Sequence, residues 1–444
     1  MEKIWLREYP LGVPADIDLN EFASLKDILE KSCRQFAELP AYSNMGVTLR
    51  YRDIDQLSRH FGAYLQQTLG LSQGERVALM MPNILQYPVA LFGILRAGLI
   101  AVNVNPLYTS HELEYQLNDS GAAAIIIVEN FAHTLQETVG RTSLKAVITT
   151  QLGDLFPFPK QQWVNFAVKR IKKLVPTWRI PGAVPFRQTV SIGATLPFTD
   201  VPLTHDDIAF LQYTGGTTGI SKGAMLTHGN MVANLQQASA WLSPSSKLAE
   251  ETIITALPLY HIFSLMANCL TFMKVGGHNI LITNPRDMPG FIKELSKVRF
   301  TIMTGVNTLF NGLLHTPGFE QLDFSALKIS LGGGMAVQRA VAERWWQVTG
   351  VPLIEAYGLT ETSPAACINP LTLRDYNGSI GLPIPSTELS IRDDEDREEM
   401  ITTLSLLMQR ATEDLRHGRI TRSVYDRVWM AVYEETHALS PERD

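Results

Sequence analysis

Cysteine is scarce in this sequence, with three in 444 residues: Cys33, Cys269 and Cys367. They are far apart and odd in number, which excludes a disulfide framework and a close-paired thiolate metal site and makes a reducing cytosol the expected setting. An uninterrupted apolar span is also missing. The most apolar stretch, 77–104, contains Pro82, Asn83, Gln86, Pro88 and Arg96, all costly in a hydrocarbon layer about 30 Å thick. Glu2, Lys3, Arg7 and Glu8 interrupt the first ten residues, so no apolar secretion signal is expected there. Neither sign of charge dominates: 38 basic against 44 acidic side chains leave a net charge of -6, which excludes a surface given over to nucleic acid. With 45% hydrophobic and 18% charged residues, the chain has the composition of two or three globular domains of roughly 100 to 200 residues each.

No fixed-period repeat is present. Instead, apolar runs alternate with helical patterns: 77–81, 100–104 and 124–128 with helices after Asn83 and near Glu112, then 252–257, 280–283, 301–304, 328–331 and 353–356. Short apolar runs joined by amphipathic helices predict parallel strands, hence an α/β protein with two layered α/β subdomains. Residues 156–186 differ from their surroundings, with Trp163, Phe166, Val168, Ile171, Leu174 and Trp178 interleaved with Lys160, Lys169, Arg170, Lys172, Lys173 and Arg179. Two readings stand for this segment: an amphipathic helix packed on the protein with a solvated basic face, or a peripheral contact with an anionic membrane. The second would place the protein in the cytoplasm at the inner face of the cytoplasmic membrane.

Lysine disappears altogether from 396–444, which hold seven Arg, against 14 Lys and 17 Arg before them. Helical spacing over 399–415 puts Leu404, Leu407, Met408 and Leu415 on one stripe, and spacing over 422–439 puts Val424, Val428, Trp429 and Val432 on another. His417 and Gly418 separate them, which predicts a C-terminal helical hairpin over 396–444 that docks on the body, on a protein partner or on a second copy as a homodimer.

The segment with the clearest chemistry is 211–223, which follows the apolar run 208–211. Its Gly215, Gly216, Gly219 and Gly223 let backbone amides approach an anion, Thr214, Thr217 and Thr218 add hydroxyl donors, and Lys222 pairs with phosphate charge. The order Ser221-Lys222-Gly223 differs from a Walker loop. From Tyr213 to Gly223 the segment resembles the phosphate-binding signature of the adenylate-forming enzymes, and Glu355-Ala356-Tyr357-Gly358-Leu359-Thr360-Glu361 resembles the second signature of that family. Within the family, 78–108, 211–230, 256–263 and 378–387 are similar to the bacterial long-chain fatty-acid CoA ligases almost throughout. The resemblance covers 1–395 as the AMP-binding large domain.

That resemblance implies ATP-dependent conversion of a long-chain fatty acid to acyl-AMP with release of pyrophosphate, then transfer to CoA with release of AMP. It implies Mg²⁺ held by Thr214 and Glu361, and β- and γ-phosphates cradled by Thr217, Thr218, Gly219 and Lys222. By the same resemblance Gly332, Gly333 and Gly334 lie beside adenine, Tyr357 stacks on it, Thr360 meets the α-phosphate and His261 lies near the acyl carboxylate. Apolar residues at 306–314, Phe263 and Met335 are the expected wall of the acyl tunnel. The family's pattern then continues with barrel strands, a ribose-binding Gly-Asp, an Arg hinge and a small lysine-bearing domain, none of which is matched here. The expectation is therefore an incomplete barrel segment near 379–395, with strands from Ser379 and Leu389 lacking partners, and weakened turnover. The alternative from another class is a truncated pseudoenzyme that binds ATP and fatty acid and uses its helical tail for a partner.

Overall fold

The structure is a computed structural model describing residues 3–215, 220–391, 401–419, 421, 422, 424, 425 and 427–429. It contains two mainly parallel sheets, as the alternation of apolar runs and helices predicts. The first has nine strands in the spatial order Leu382–Pro383, Ala365–Ile368, Leu353–Gly358, Ile329–Gly332, Ile302–Gly305, Thr252–Thr255, His278–Leu281, Pro40–Asn44 and Val47–Arg50. Its interior pairs are parallel and the pairs at both edges antiparallel. The second has seven strands: Val184–Pro185, Ala146–Thr150, Ala122–Val128, Arg76–Met80, Ile100–Asn103, Ile208–Thr214 and Lys222–Thr227, of which only the last pair is antiparallel.

Strands covered on both faces need apolar side chains at every position rather than at alternate ones, and Ala122–Val128 is buried throughout. Helix ends follow side-chain chemistry. The Thr109 and Glu112 side chains form a reciprocal cap at the start of Ser110–Ser120, which ends where Gly121 takes φ +60°; Thr227 and Asn230 cap His228–Leu242 in the same way. Arg96, which interrupts the most apolar stretch, is fully buried. It donates to the Asp55 carboxylate (2.7 Å), the Asp55 carbonyl (2.8 Å) and Ser58 Oγ (3.0 Å), with Glu30 at 3.3 Å, so the charge is matched by two carboxylates, which offset part of its desolvation cost.

Residues 10–386 form one compact unit and 1–9 with 387–444 a second. In the second, the helix Ile401–Arg416 forms as the spacing predicts, and Gly418 breaks it at φ +68°. Arg419 pairs with Asp414 at 2.7 Å, and residues 422, 424, 425 and 427–429 are helical, with Thr412 Oγ1 donating to the Tyr425 hydroxyl at 3.5 Å. Leu404, Leu407 and Val432 lie outside the described side chains. The strand expected from Ser379 is the two-residue Leu382–Pro383, and it does have a partner, Ala365–Ile368; none forms over the described residues 389–391.

Two buried histidines make the fold acid-sensitive. His228 Nδ1 accepts from the Leu25 amide at 3.2 Å, His278 Nε2 is 2.7 Å from Ser43 Oγ, and desolvation pulls both pKa values down to about 4. Unfolding restores an ordinary value of roughly 6.5, so the unfolded chain binds more protons between these limits. The stability involved is present above pH ~6.5 and lost as pH falls toward ~4, on the order of 3 kcal/mol per histidine. The melting temperature is expected to fall steeply across that window, and the fall should be shallower in His228→Asn/His278→Asn; a flat wild-type profile would reject this assignment.

Candidate active site

The site is built from the ends of two sheets. Ile208–Thr214 turns antiparallel into Lys222–Thr227, with Tyr213 opposite Gly223 and Thr214 opposite Lys222. A side chain at 223 would press its Cβ to 2.9 Å from the Tyr213 ring, so glycine there is what lets the ring lie across the hairpin. The Tyr213 hydroxyl donates to Asp119 Oδ2 at 2.6 Å, and burial together with that carboxylate pushes the phenol's pKa up. Ser221 Oγ donates to the Thr214 carbonyl at 2.5 Å, tying the two strand ends together. Gly216, Thr217, Thr218 and Gly219 lie outside the described residues.

From the other sheet, Ile329–Gly332 ends at the three glycines. Gly334 has φ +75°, and a Cβ on Gly333 would meet the Phe263 ring at 3.1 Å and the Ala356 carbonyl at 3.3 Å. The neighbouring strand Leu353–Gly358 presents Tyr357, which is 41% exposed, then passes into the 3-10 turn Thr360–Thr362. Gly358 admits no side chain, because a Cβ would stand 1.9 Å from the Pro364 carbonyl oxygen. Glu361 is exposed and its carboxylate has no partner among the described residues.

These segments meet around one cavity of about 700 Å³. It brings together Tyr213, Thr214, Gly215, His261, Gly333, Gly334, Tyr357, Gly358, Thr360 and Glu361. Lys222, Gly223 and Gly332 are not on its wall: Lys222 is exposed beside it, Gly223 backs Tyr213, and Gly332 packs toward Val337. His261 lies on the wall with Nδ1 accepting from the Phe263 amide at 3.3 Å, and surrounding protein lowers its pKa. An Nδ1 that accepts is unprotonated, so the neutral ring carries its proton on Nε2 as a donor.

The rest of the cavity wall is mainly apolar, with Thr271 and Thr304 among its residues. Trp241, Met266, Phe272, Ile302, Ile329 and Leu331 line it, and of the expected tunnel wall only Phe263 belongs to it. The helix Asn307–Leu314 instead turns its apolar face into the core, where Phe310 and Leu313 are fully buried and the Phe310 ring lies 4.7 Å from that of Trp345. Met335 is 49% exposed and off the wall. An apolar stripe at helical spacing reads alike for core and tunnel, and nothing in the sequence marked Trp241, Ile302 or Ile329 as cavity residues.

A family model described as AMP-binding enzyme matches residues 29–402. The chain belongs to the AMP-binding enzyme family. This AMP-binding enzyme is 56% identical over 398 residues to the long-chain-fatty-acid–CoA ligase of Salmonella typhimurium, which covers 90% of this chain and 71% of that one. Its similarity to the long-chain-fatty-acid–CoA ligase of Haemophilus influenzae is 49% over 450 residues, 99% of this chain and 80% of the relative, so that match runs beyond residue 395. Its fold is similar to the crystal structure of a long-chain-fatty-acid-CoA ligase from Archaeoglobus fulgidus, with TM-score 0.73, 22% identity, and coverage of 88% of this chain and 75% of the other.

Proposed function

We propose that this AMP-binding enzyme is a long-chain fatty-acid CoA ligase. The observation that carries the reading is one cavity in which Tyr213–Gly215 of the first signature, the second signature and His261 meet a mainly apolar lining. A carboxylate seated beside His261 accepts from its Nε2 proton while the alkyl chain lies along Trp241, Phe272, Ile302 and Ile329. One carboxylate oxygen attacks the α-phosphorus of ATP, an O–P bond forms, and the bond to the bridging oxygen breaks to release pyrophosphate. The CoA thiol then attacks the acyl carbon, AMP leaves, and the thiol proton passes to solvent. Tyr357 offers its ring and Gly333 and Gly334 their bare backbone to the adenine, with Thr360 at the α-phosphate.

The residues fit a magnesium ion. Thr214 Oγ1 donates to the Lys222 carbonyl at 3.4 Å, leaving lone pairs on its oxygen, and the Glu361 carboxylate on the same wall has no partner among the described residues. Among those residues no group of three or more His, Cys, Asp or Glu forms a cage, which suits a cation held by one or two protein oxygens together with phosphate and water. Such an ion would neutralise charge on the triphosphate. The test is oleate-dependent pyrophosphate release from MgATP, without and then with CoA. Release and oleoyl-CoA formation support the ligase; MgATP binding without release favours the nucleotide- and fatty-acid-binding alternative.

We further propose a peripheral seat on anionic membrane, at the inner face of the cytoplasmic membrane, through 156–186. Phe158 (78%), Trp163 (65%), Phe166 and Ile171 are more than half exposed, while Val164 packs against the core and Lys169 pairs with Glu129, so the segment rests on the protein and still presents large apolar side chains outward. The segment holds six cations and no acidic residue, each cation near an anionic surface being worth about 1 kcal/mol. The chain is expected to co-sediment with phosphatidylserine-containing vesicles, to release in high salt, and to bind more weakly as Trp163→Ala/Phe166→Ala; no binding at low salt would reject the seat. For 396–444 a pairing role predicts a mass by light scattering that rises with concentration, and a constant monomer mass would count against it.

A further inference from the structure

We propose that the helix Ser110–Ser120 is a brace that sets the opening of the phosphate hairpin, with Tyr115 and Asp119 as positioning residues. The two are four apart and so share one helix face. Asp119 Oδ2 accepts from the Tyr213 hydroxyl at 2.6 Å, and the Tyr115 hydroxyl donates to the Ser221 carbonyl at 3.0 Å. Tyr213 is the penultimate residue of the incoming strand, and Ser221 immediately precedes the outgoing one. One helix therefore grips both flanks of the segment that resembles a phosphate cradle.

The grip matters because of where the hairpin lies. Among the described residues Lys222–Thr227 is the outermost strand of its sheet and pairs only with Ile208–Thr214, so no second ladder among them fixes where it begins. The helix itself is firmly held. Its N-terminus is capped by Thr109 and Glu112, Leu113 and Leu117 are buried, and Gln116 Nε2 donates to the Asn103 carbonyl at 2.8 Å. Thr214, Ser221 and Lys222 are thus referred to the sheet interior through side chains that touch no substrate themselves. Donors held in place before the charge arrives spend nothing on reorganisation, so loosening either contact is expected to weaken the triphosphate's hold and leave the acyl end of the cavity alone.

The inference rests on the proposal that the chain binds MgATP, and the experiment separates the two. MgATP and oleate affinities are measured by titration calorimetry on the full chain for wild type, Asp119→Ala, Asp119→Asn and Tyr115→Phe. Asp119→Ala and Tyr115→Phe are each expected to weaken MgATP about tenfold, the scale of one hydrogen bond in a charged site, with oleate affinity unchanged. Asp119→Asn keeps an acceptor for the Tyr213 hydroxyl and should restore MgATP affinity. Wild-type MgATP affinity in both Asp119→Ala and Tyr115→Phe overturns the brace, as does an equal loss for MgATP and oleate, which would mark a merely structural helix. Wild type that binds no MgATP overturns the functional proposal and the brace with it. Tyr115→Phe removes a single oxygen, so a folding failure of Asp119→Ala still leaves a decisive variant.

Discussion

Lys222→Ala should reduce oleate-dependent pyrophosphate release by about 10²- to 10³-fold, the usual consequence of deleting one preorganised electrostatic contact at a reacting phosphate. Lys222 stands at the first position of the outermost strand, paired in register with Thr214, and its ammonium has no partner among the described residues. An exposed lysine without a counter-ion contributes little to folding, so its removal should leave the melting temperature nearly unchanged. Lys222→Arg is expected to recover only part of the rate, because a planar guanidinium presents its donors in a different geometry from a compact ammonium. The measurement is the initial rate of pyrophosphate formation at saturating oleate across a range of MgATP. Lys222 lies beside the cavity rather than on its wall, and a wild-type rate in Lys222→Ala would mean that this offset persists when nucleotide is bound.

The fold was legible wherever burial is symmetrical. A parallel strand covered on both faces must be apolar at nearly every position, so Ala122–Val128 announces itself as a run, and the neighbouring helices by period. The extended pairing at the sheet edges was less legible: the two-residue strand Leu382–Pro383 is fixed by backbone bonding to Ala365–Ile368 rather than by any pattern of its own. The glycine- and threonine-bearing segment stands out in the sequence because few structural needs other than an anion call for that mixture, and of it the structure puts Thr214 and Gly215 on the cavity wall. The apolar half of the site does not stand out, since Trp241 and Ile329 on a cavity wall have the same chemistry as Phe310 and Leu313 in the core. Tyr115 and Asp119 were invisible for another reason. Their role depends on a helix about a hundred residues away in sequence reaching the hairpin, and a single tyrosine or aspartate on an amphipathic helix carries no sign of that.

Gly358→Ala is expected to abolish MgATP binding and to destabilise the chain by at least about 2 kcal/mol, as overpacking does when neither side can yield. The added methyl would stand 1.9 Å from the Pro364 carbonyl oxygen and 2.7 Å from its carbon, and both are backbone atoms with no rotamer to change. Relief requires the strand Leu353–Gly358 to separate from Ala365–Ile368, its antiparallel neighbour. Tyr357, Thr360 and Glu361 would move with it, because they flank residue 358 on the same wall of the cavity. Gly193→Ala supplies the contrast: its Cβ would stand 1.8 Å from the His60 carbonyl oxygen, where Phe186–Gly193 crosses Tyr51–Ala63, and neither helix contributes to the cavity. Both variants should therefore lose thermal stability by a similar amount. At a temperature where both remain folded, however, Gly193→Ala should bind MgATP as wild type does and Gly358→Ala should not. Equal retention of binding would show that the turn carrying Thr360 and Glu361 can shift without cost to the site, and the adenine and phosphate roles assigned to that turn would have to be given up.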